Sequence, residues 1–141
     1  MSEEERAADP ERCIIVVNGA LPPGKAANAA AVVAFTLGQR HGRLLGAPFV
    51  EAGGAAHPGL IPIGIPVLSA DAPRLAALRA RALAECDVVD FPLQGQQTTD
   101  YQAFLRAVHD AGDSPLEYLA VGLVGPKKRI GKLAGGLPLF A

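Results

Sequence analysis

The apolar positions of this chain alternate between short continuous runs and longer, spaced ones. Residues 13–17, Cys-Ile-Ile-Val-Val, form an unbroken and mostly β-branched run between Arg12 and Asn18. That is the pattern of a strand covered on both faces. Asn18-Gly19 closes it, and Leu21-Pro22-Pro23-Gly24 makes a tight turn. Residues 25–40 are rich in Ala and carry Val32, Val33, Phe35 and Leu37 with few polar interruptions, which predicts a helix covered on most sides. Residues 41–60 are rich in Gly and Pro and predict irregular chain with a short apolar piece at 44–50. A second strand is predicted at 60–68. Pro62 and Pro66 fall inside it with one parity and cannot donate ladder bonds, which places it at a sheet edge.

Residues 69–85 give the clearest amphipathic helix, with Pro73 suited to its first turn and Leu75, Leu78 and Ala82 on one face. Val88, Val89 and Phe91 form a third strand. After a polar loop at 94–98, Thr99-Asp100-Tyr101-Gln102 fits a capping box, Thr99 and Gln102 serving each other's backbone donors. The helix it opens sets Tyr101, Phe104, Leu105 and Val108 on one face and ends near Gly112. Residues 117–124 predict a fourth strand. Pro126 then starts a short helix that stops at Gly135-Gly136, leaving Leu137-Pro138-Leu139-Phe140 as an apolar tail to dock. The order βαβαβαβα, without repeat or linker, predicts one α/β domain over residues 12–141, its sheet covered by helices on both faces. A charged, flexible lead-in at 1–11 precedes it.

Composition narrows the function. Half of the 141 residues are apolar and 19% are charged, as in an ordinary globular domain. A net charge of -1 argues against a generally basic nucleic-acid coat and leaves room for a local basic patch. No apolar run marks a signal peptide or reaches the roughly 20 residues of a membrane span, so a cytoplasmic protein without a membrane partner is expected. Cys13 and Cys86 lack CxxC or Cys/His spacing, and His41, His57 and His109 stand apart in the sequence. The expectation is free thiols, surface histidines, no metal and no cofactor.

Three features carry candidate chemistry. Lys127, Lys128 and Arg129 crowd the first turn of the last helix, where the dipole disfavours cations, and Lys132 stacks one turn above Lys128. The run reads either as a solvated face or as an anion site shared with the free backbone N–H groups. Lys25 follows the first strand's turn into a helix N-terminus, at the sheet edge where α/β ligands gather. Gln94 and Thr98, in the loop after the third strand, offer amide and hydroxyl groups that orient a ligand or cap a turn.

Longer stretches carry a resemblance. Residues 118–126, Tyr-Leu-Ala-Val-Gly-Leu-Val-Gly-Pro, and 132–140, Lys-Leu-Ala-Gly-Gly-Leu-Pro-Leu-Phe, are similar to the end of type II peptidyl-tRNA hydrolases. Leu21-Pro22-Pro23-Gly24, Ala26-Ala27-Asn28, residues 65–70, Thr99-Asp100-Tyr101 and Gly125-Pro126-Lys127-Lys128 more closely resemble a bacterial domain-of-unknown-function 2000 family built on that fold. The resemblance covers nearly all of residues 12–140. It implies a three-layer α/β/α sandwich around a four-stranded mixed sheet, and a homodimer.

The hydrolase catalytic set is not matched. Gly24 stands at the position of the hydrolase lysine, with Lys25 one residue on, and Ala30 or Ala31 falls near the histidine's place. Gln94 replaces an aspartate before Gly95, while Thr98 or Thr99 matches the hydrolase threonine and Lys132 the late lysine. The first expectation is a non-hydrolase binding module for a small anionic or nucleic-acid-like ligand, contacted by Lys25, Gln94, Thr98, Lys127, Lys128 and Lys132. The alternatives are an enzyme that still cleaves peptidyl- or aminoacyl-tRNA esters, and a structural or dimerisation protein without ligand.

Overall fold

A computed structural model describes residues 10–141; residues 1–9 of the lead-in expected at 1–11 lie outside them. The chain forms a mixed α/β domain around a four-stranded mixed sheet of order β4-β1-β6-β5. These strands are β1 (Glu11–Asn18), β4 (Val67–Ala70), β5 (Asp87–Pro92) and β6 (Tyr118–Pro126). β1 pairs in parallel with β4 and antiparallel with β6, and β5 pairs antiparallel with β6. β1, β4 and β5 therefore end at one edge of the sheet, and β6 ends at the other.

Cys13 to Val17 are all buried, as the unbroken apolar run requires. Their alternate side chains enter two cores. Cys13, Ile15 and Val17 meet Ala26, Ala29, Val33 and Leu37 of α1 (Pro23–Arg40). On the other face, Ile14 and Val16 meet Leu75, Leu78 and Ala82 of α2 (Ala72–Ala82) and Ile130 of α5 (Lys127–Ala134). Gly122, in the middle of β6, faces α1. A Cβ there would overlap Val33 and Leu37, so only glycine lets the helix lie this close to the sheet.

Four expectations change. The second strand is β4, and Pro62 and Pro66 precede it instead of lying inside it. A strand with two missing donors cannot hold a ladder over nine positions, so pairing begins only after Pro66. β4 is the end strand of the sheet, as expected, and the apolar tail covers its outer side: Ser69 N–H donates to Pro138 O (2.8 Å) and Phe140 N–H to Val67 O (2.9 Å). Secondly, Glu11, placed in the lead-in, is the first residue of β1 and registers with Pro126.

Thirdly, Asp100, not Thr99, caps α4 (Tyr101–Asp110): its Oδ1 accepts from Ala103 N–H at 2.8 Å. Both residue types cap well, and an aspartate also meets the positive end of the helix dipole. Finally, α1 and α4 are less covered than their apolar content predicts. No residue of α4 is fully buried, because it packs on α3 (Gln94–Gln97) at the end of the sheet and not across it. α1 buries one side and leaves Phe35 exposed on the other.

The irregular segment between α1 and β4 is a long excursion whose arms meet. Gly46 N–H donates to Leu60 O at 2.8 Å, and β2 (Phe49–Val50) pairs with β3 (Ala56–His57). Phe49 stacks on the His57 ring, and His57 Nε2 lies 2.7 Å from Glu51 Oε2.

Candidate functional site

Strand direction sorts the expected site residues into two groups. Lys25, Gln94 and Thr98 lie at the edge where β1, β4 and β5 end. Lys127 and Lys128 begin α5 at the opposite edge, beyond the end of β6, and Lys132 lies further along α5. The nine residues of β6 span roughly 27 Å between the two edges. One small ligand does not reach both groups.

At the first edge the polar groups are largely used within the protein. Gln96 Nε2 donates to Lys25 O (2.8 Å) and to Asn28 Oδ1 (3.2 Å), tying the loop to the start of α1. Thr98 Oγ1 donates to Gln94 O at 2.8 Å. Gln94 Oε1 is buried without a hydrogen-bond partner, and an amide cannot act as a titrating base. The nearby carboxylates are committed as well. Asp90 Oδ2 takes Arg79 Nε at 2.6 Å, and Asp100 caps α4. Asp90 and Asp100 also line a hollow of about 360 Å³ beside Thr98, which makes that hollow a poor place for an anion.

The opposite edge is built differently. The first turn of α5 carries Lys127, Lys128 and Arg129 without a side-chain cap or an acidic residue. Part of its electrostatic cost is met locally. Lys127 N–H donates to Pro10 O at 2.9 Å, and Arg129 Nη1 donates to Glu85 O at 3.3 Å with its Nε 3.8 Å from Glu85 Oε2. At the same edge α1 ends in a linked set of side chains. Arg40 Nε and Nη2 each lie 2.8 Å from Asp87, whose Oδ2 also receives His41 Nε2 at 2.6 Å. Arg43 Nη1 reaches His41 Nδ1 at 2.9 Å, and Arg43 Nη2 reaches Glu11 Oε2 at 2.6 Å.

A guanidinium only donates, so Nδ1 of His41 accepts and Nε2 carries the proton offered to Asp87. Hydrogen bonds from Arg40, joined by the one from His41, hold the Asp87 carboxyl at a pKa of about 2 against the rise that burial brings. His41 was expected at the surface; its side chain is only 13% exposed. The reason is Asp87, a partner 46 residues away that the spacing of histidines does not reveal.

Beside His41 lies the cavity that the sequence did not announce, of about 480 Å³. Its walls are the outer half of α1 at Ala34, Leu37 and Gly38, the excursion at Leu44 and Ile61, and the sheet at Cys13 and Val124. Among the described residues the lining contains no Lys, Arg, Asp or Glu, and its polar groups are few, His41 and Gln39 among them. Burial pushes the Cys13 thiol up, which keeps it protonated and unreactive. A volume in this range with apolar walls and few polar groups is the usual form of a small-molecule site. At the same end of the sheet the starts of β1 and β5, the end of α1 and the start of α5 bring Arg12, Arg40, Arg43, Lys127, Lys128 and Arg129 together with Glu11, Glu85 and Asp87. That edge is positive although the chain as a whole carries -1.

Among the described residues no three His, Cys, Asp or Glu side chains gather as a metal site would need, and no helix is long and apolar enough to cross a membrane.

Residues 11–141 match the model of a family described as "Protein of unknown function (DUF2000)". The chain belongs to this family. No curated protein matches it. Among solved structures it is similar to a protein of unknown function from Agrobacterium tumefaciens, at 17% identity and a TM-score of 0.83, covering 93% of this chain and 98% of that one. At that identity the likeness speaks for the fold alone. The DUF2000 assignment bears out the resemblance carried by Leu21 to Gly24 and Gly125 to Lys128.

Proposed function

We propose that this DUF2000 protein is a non-hydrolytic binding module for a small amphipathic acid. The apolar body of the ligand occupies the cavity, and its anionic head lies toward the positive edge at Arg40, His41 and Arg43. The observation that carries this reading is the 480 Å³ apolar cavity walled on one side by a histidine that is itself bonded to Arg43. Arg40 and Arg43 each use part of their five donors on Asp87 and Glu11, which leaves N–H groups for a carboxylate.

Kinship with type II peptidyl-tRNA hydrolases remains a reading of the sequence, and an RNA-like ligand is less well served than a small acid. Asp90 and Asp100 line the hollow beside Thr98, and carboxylates there repel a phosphate backbone. Ester hydrolysis would further need a proton acceptor where Gln94 stands, and general acid-base help is worth about 10²- to 10⁴-fold.

The test is a thermal-shift series with octanoate, octanol and inorganic phosphate. Octanoate is expected to raise the melting temperature most and octanol less. At a hundredfold excess over Kd the stabilisation is about 2.7 kcal/mol. No shift with either octyl compound overturns the proposal.

A further inference from the structure

On the face of the sheet away from the cavity beside His41, α2 and the chain that follows α5 enclose a hollow of about 380 Å³. Arg74 and Arg81 stand on its α2 side, two helical turns and so about 10 Å apart on one face of the helix. Ala77 lies between them and is too short to fill the space over Leu78, so both guanidiniums have room to turn inward. Opposite, Gly135 and Gly136 add no side chain, and Leu137 continues the apolar floor. Among the described residues the lining contains no carboxylate.

The two arginines are not used as their neighbours are. Arg40, Arg43, Arg79 and Arg129 each hold a carboxylate. Among the described residues the side chains of Arg74 and Arg81 hold neither a carboxylate nor a carbonyl, although acids stand close by in the chain. Asp71 Oδ1 instead accepts the backbone N–H of Arg74 as the cap of α2, and Glu85 is held by Arg129. Arg74 also sits in the first turn of α2, where the helix dipole opposes a cation. The turn after α5 adds a donor. Leu137 N–H returns to Ala134 O at 3.1 Å, while Gly136 N–H meets no acceptor among the described residues.

We propose that this hollow is a second binding site, for a small phosphate monoester whose apolar group lies on Leu78 and Leu137. A phosphate monoester carries nearly two negative charges at pH 7, which two guanidiniums without a counter-charge match better than they match a monoanion. The guanidinium fork also fits the spacing of phosphate oxygens. A nucleic-acid backbone would ask for a longer row of cations. The inference does not depend on the cavity beside His41, which opens on the other face.

The experiment is calorimetric titration of the full chain with phenyl phosphate, phenol and inorganic phosphate. Wild type is expected to bind phenyl phosphate with a Kd below about 1 mM and the other two at least about tenfold more weakly. Arg74→Gln and, independently, Arg81→Gln should each weaken phenyl phosphate by about tenfold with unchanged circular dichroism. Arg106→Gln removes an exposed charge elsewhere, on α4, and should leave binding within about twofold, as should Ile61→Asp in the other cavity.

No binding of phenyl phosphate by wild type, or equal affinity in the Arg74 and Arg81 variants, overturns the site. An equal loss in Arg106→Gln reduces it to attraction by overall charge and overturns it as well. Loss of phenyl phosphate in Ile61→Asp alone places that ligand beside His41, which overturns the second site and leaves the first reading standing.

Discussion

The two edges of the sheet solve opposite problems. Where β1, β4 and β5 end, the loop at 94–98 brings together many hydrogen-bonding groups, and most of those described are bonded to one another: Gln96 to Lys25 and Asn28, Thr98 to Gln94, Asp100 to Ala103. Where β6 ends, cations outnumber their partners and the neighbouring cavity is almost without polar groups. A cluster of polar residue types in a sequence does not distinguish side chains that await a ligand from side chains that hold the backbone. The difference lies in where their hydrogen bonds go.

That contrast can be broken most sharply by chemistry at the first edge. Peptidyl-tRNA turnover by purified protein, followed by release of labelled peptide, is expected to lie at least about 10²-fold below that of a working hydrolase. Turnover near the hydrolase level, abolished by Lys25→Ala, would move the function to the loop edge.

Ligand affinity comes next in size. Ile61→Asp is expected to weaken octanoate by about tenfold or more, while Lys25→Ala changes it by less than about twofold. Calorimetric titration of both variants checks this, and the reverse order would exchange the roles of the two edges.

The Arg40–Asp87–His41 set should appear as a pH effect. The folded pKa of Asp87, about 2, lies below the usual carboxylate value of about 3.9. The stabilisation is therefore complete above that value and is lost as pH falls through about 2. Arg40 is half exposed, so solvent screening reduces the contribution to about 1 kcal/mol. Asp87→Asn should lower stability by that amount at pH 7 and remove the corresponding slope between about pH 4 and 2. Urea midpoints measured across that range report it, and a variant with the wild-type slope would detach the set from stability.

At the first edge, Asp100→Ala is expected to cost about 1 kcal/mol and Thr99→Ala a few tenths. Equal losses in urea unfolding would restore Thr99 as the cap. The smallest effect is expected from phosphate, with wild type and Lys127→Ala/Lys128→Ala shifting alike, within roughly 1 °C. A rise confined to wild type would make the first turn of α5 an anion site after all.

Much of the fold was legible because local pattern and tertiary environment agree. Cys13 to Val17 could only be a doubly covered strand, and the spacing of Leu75, Leu78 and Ala82 could only be one helix face. β4 was harder, since Pro62 and Pro66 sit in an apolar run whose pairing begins after them. The candidate site was less legible. Its cavity joins Cys13 to Val124 and to an irregular segment whose arms meet at Gly46 and Leu60, and no motif links those positions. His41 carried no signal of its own, because its partner Asp87 reads simply as the polar start of a strand. One clue was present and was turned the wrong way. A helix without charge from Ala26 to Gln39 does want cover on most sides, yet the rest of the chain supplies it on only one.

The seam between β1 and β6 also sets how the protein comes together. Seven residue pairs, from Glu11↔Pro126 to Val17↔Ala120, join segments more than a hundred positions apart at the centre of the sheet. Closing so long a loop costs entropy before any contact is formed, and chains dominated by such distant pairings fold slowly. The first strand can therefore gain its full set of neighbours only when the last one is present. A half-built sheet would leave Ile14, Val16 and their companions bare, so the molecule should assemble and come apart as a whole, in one transition instead of in stages.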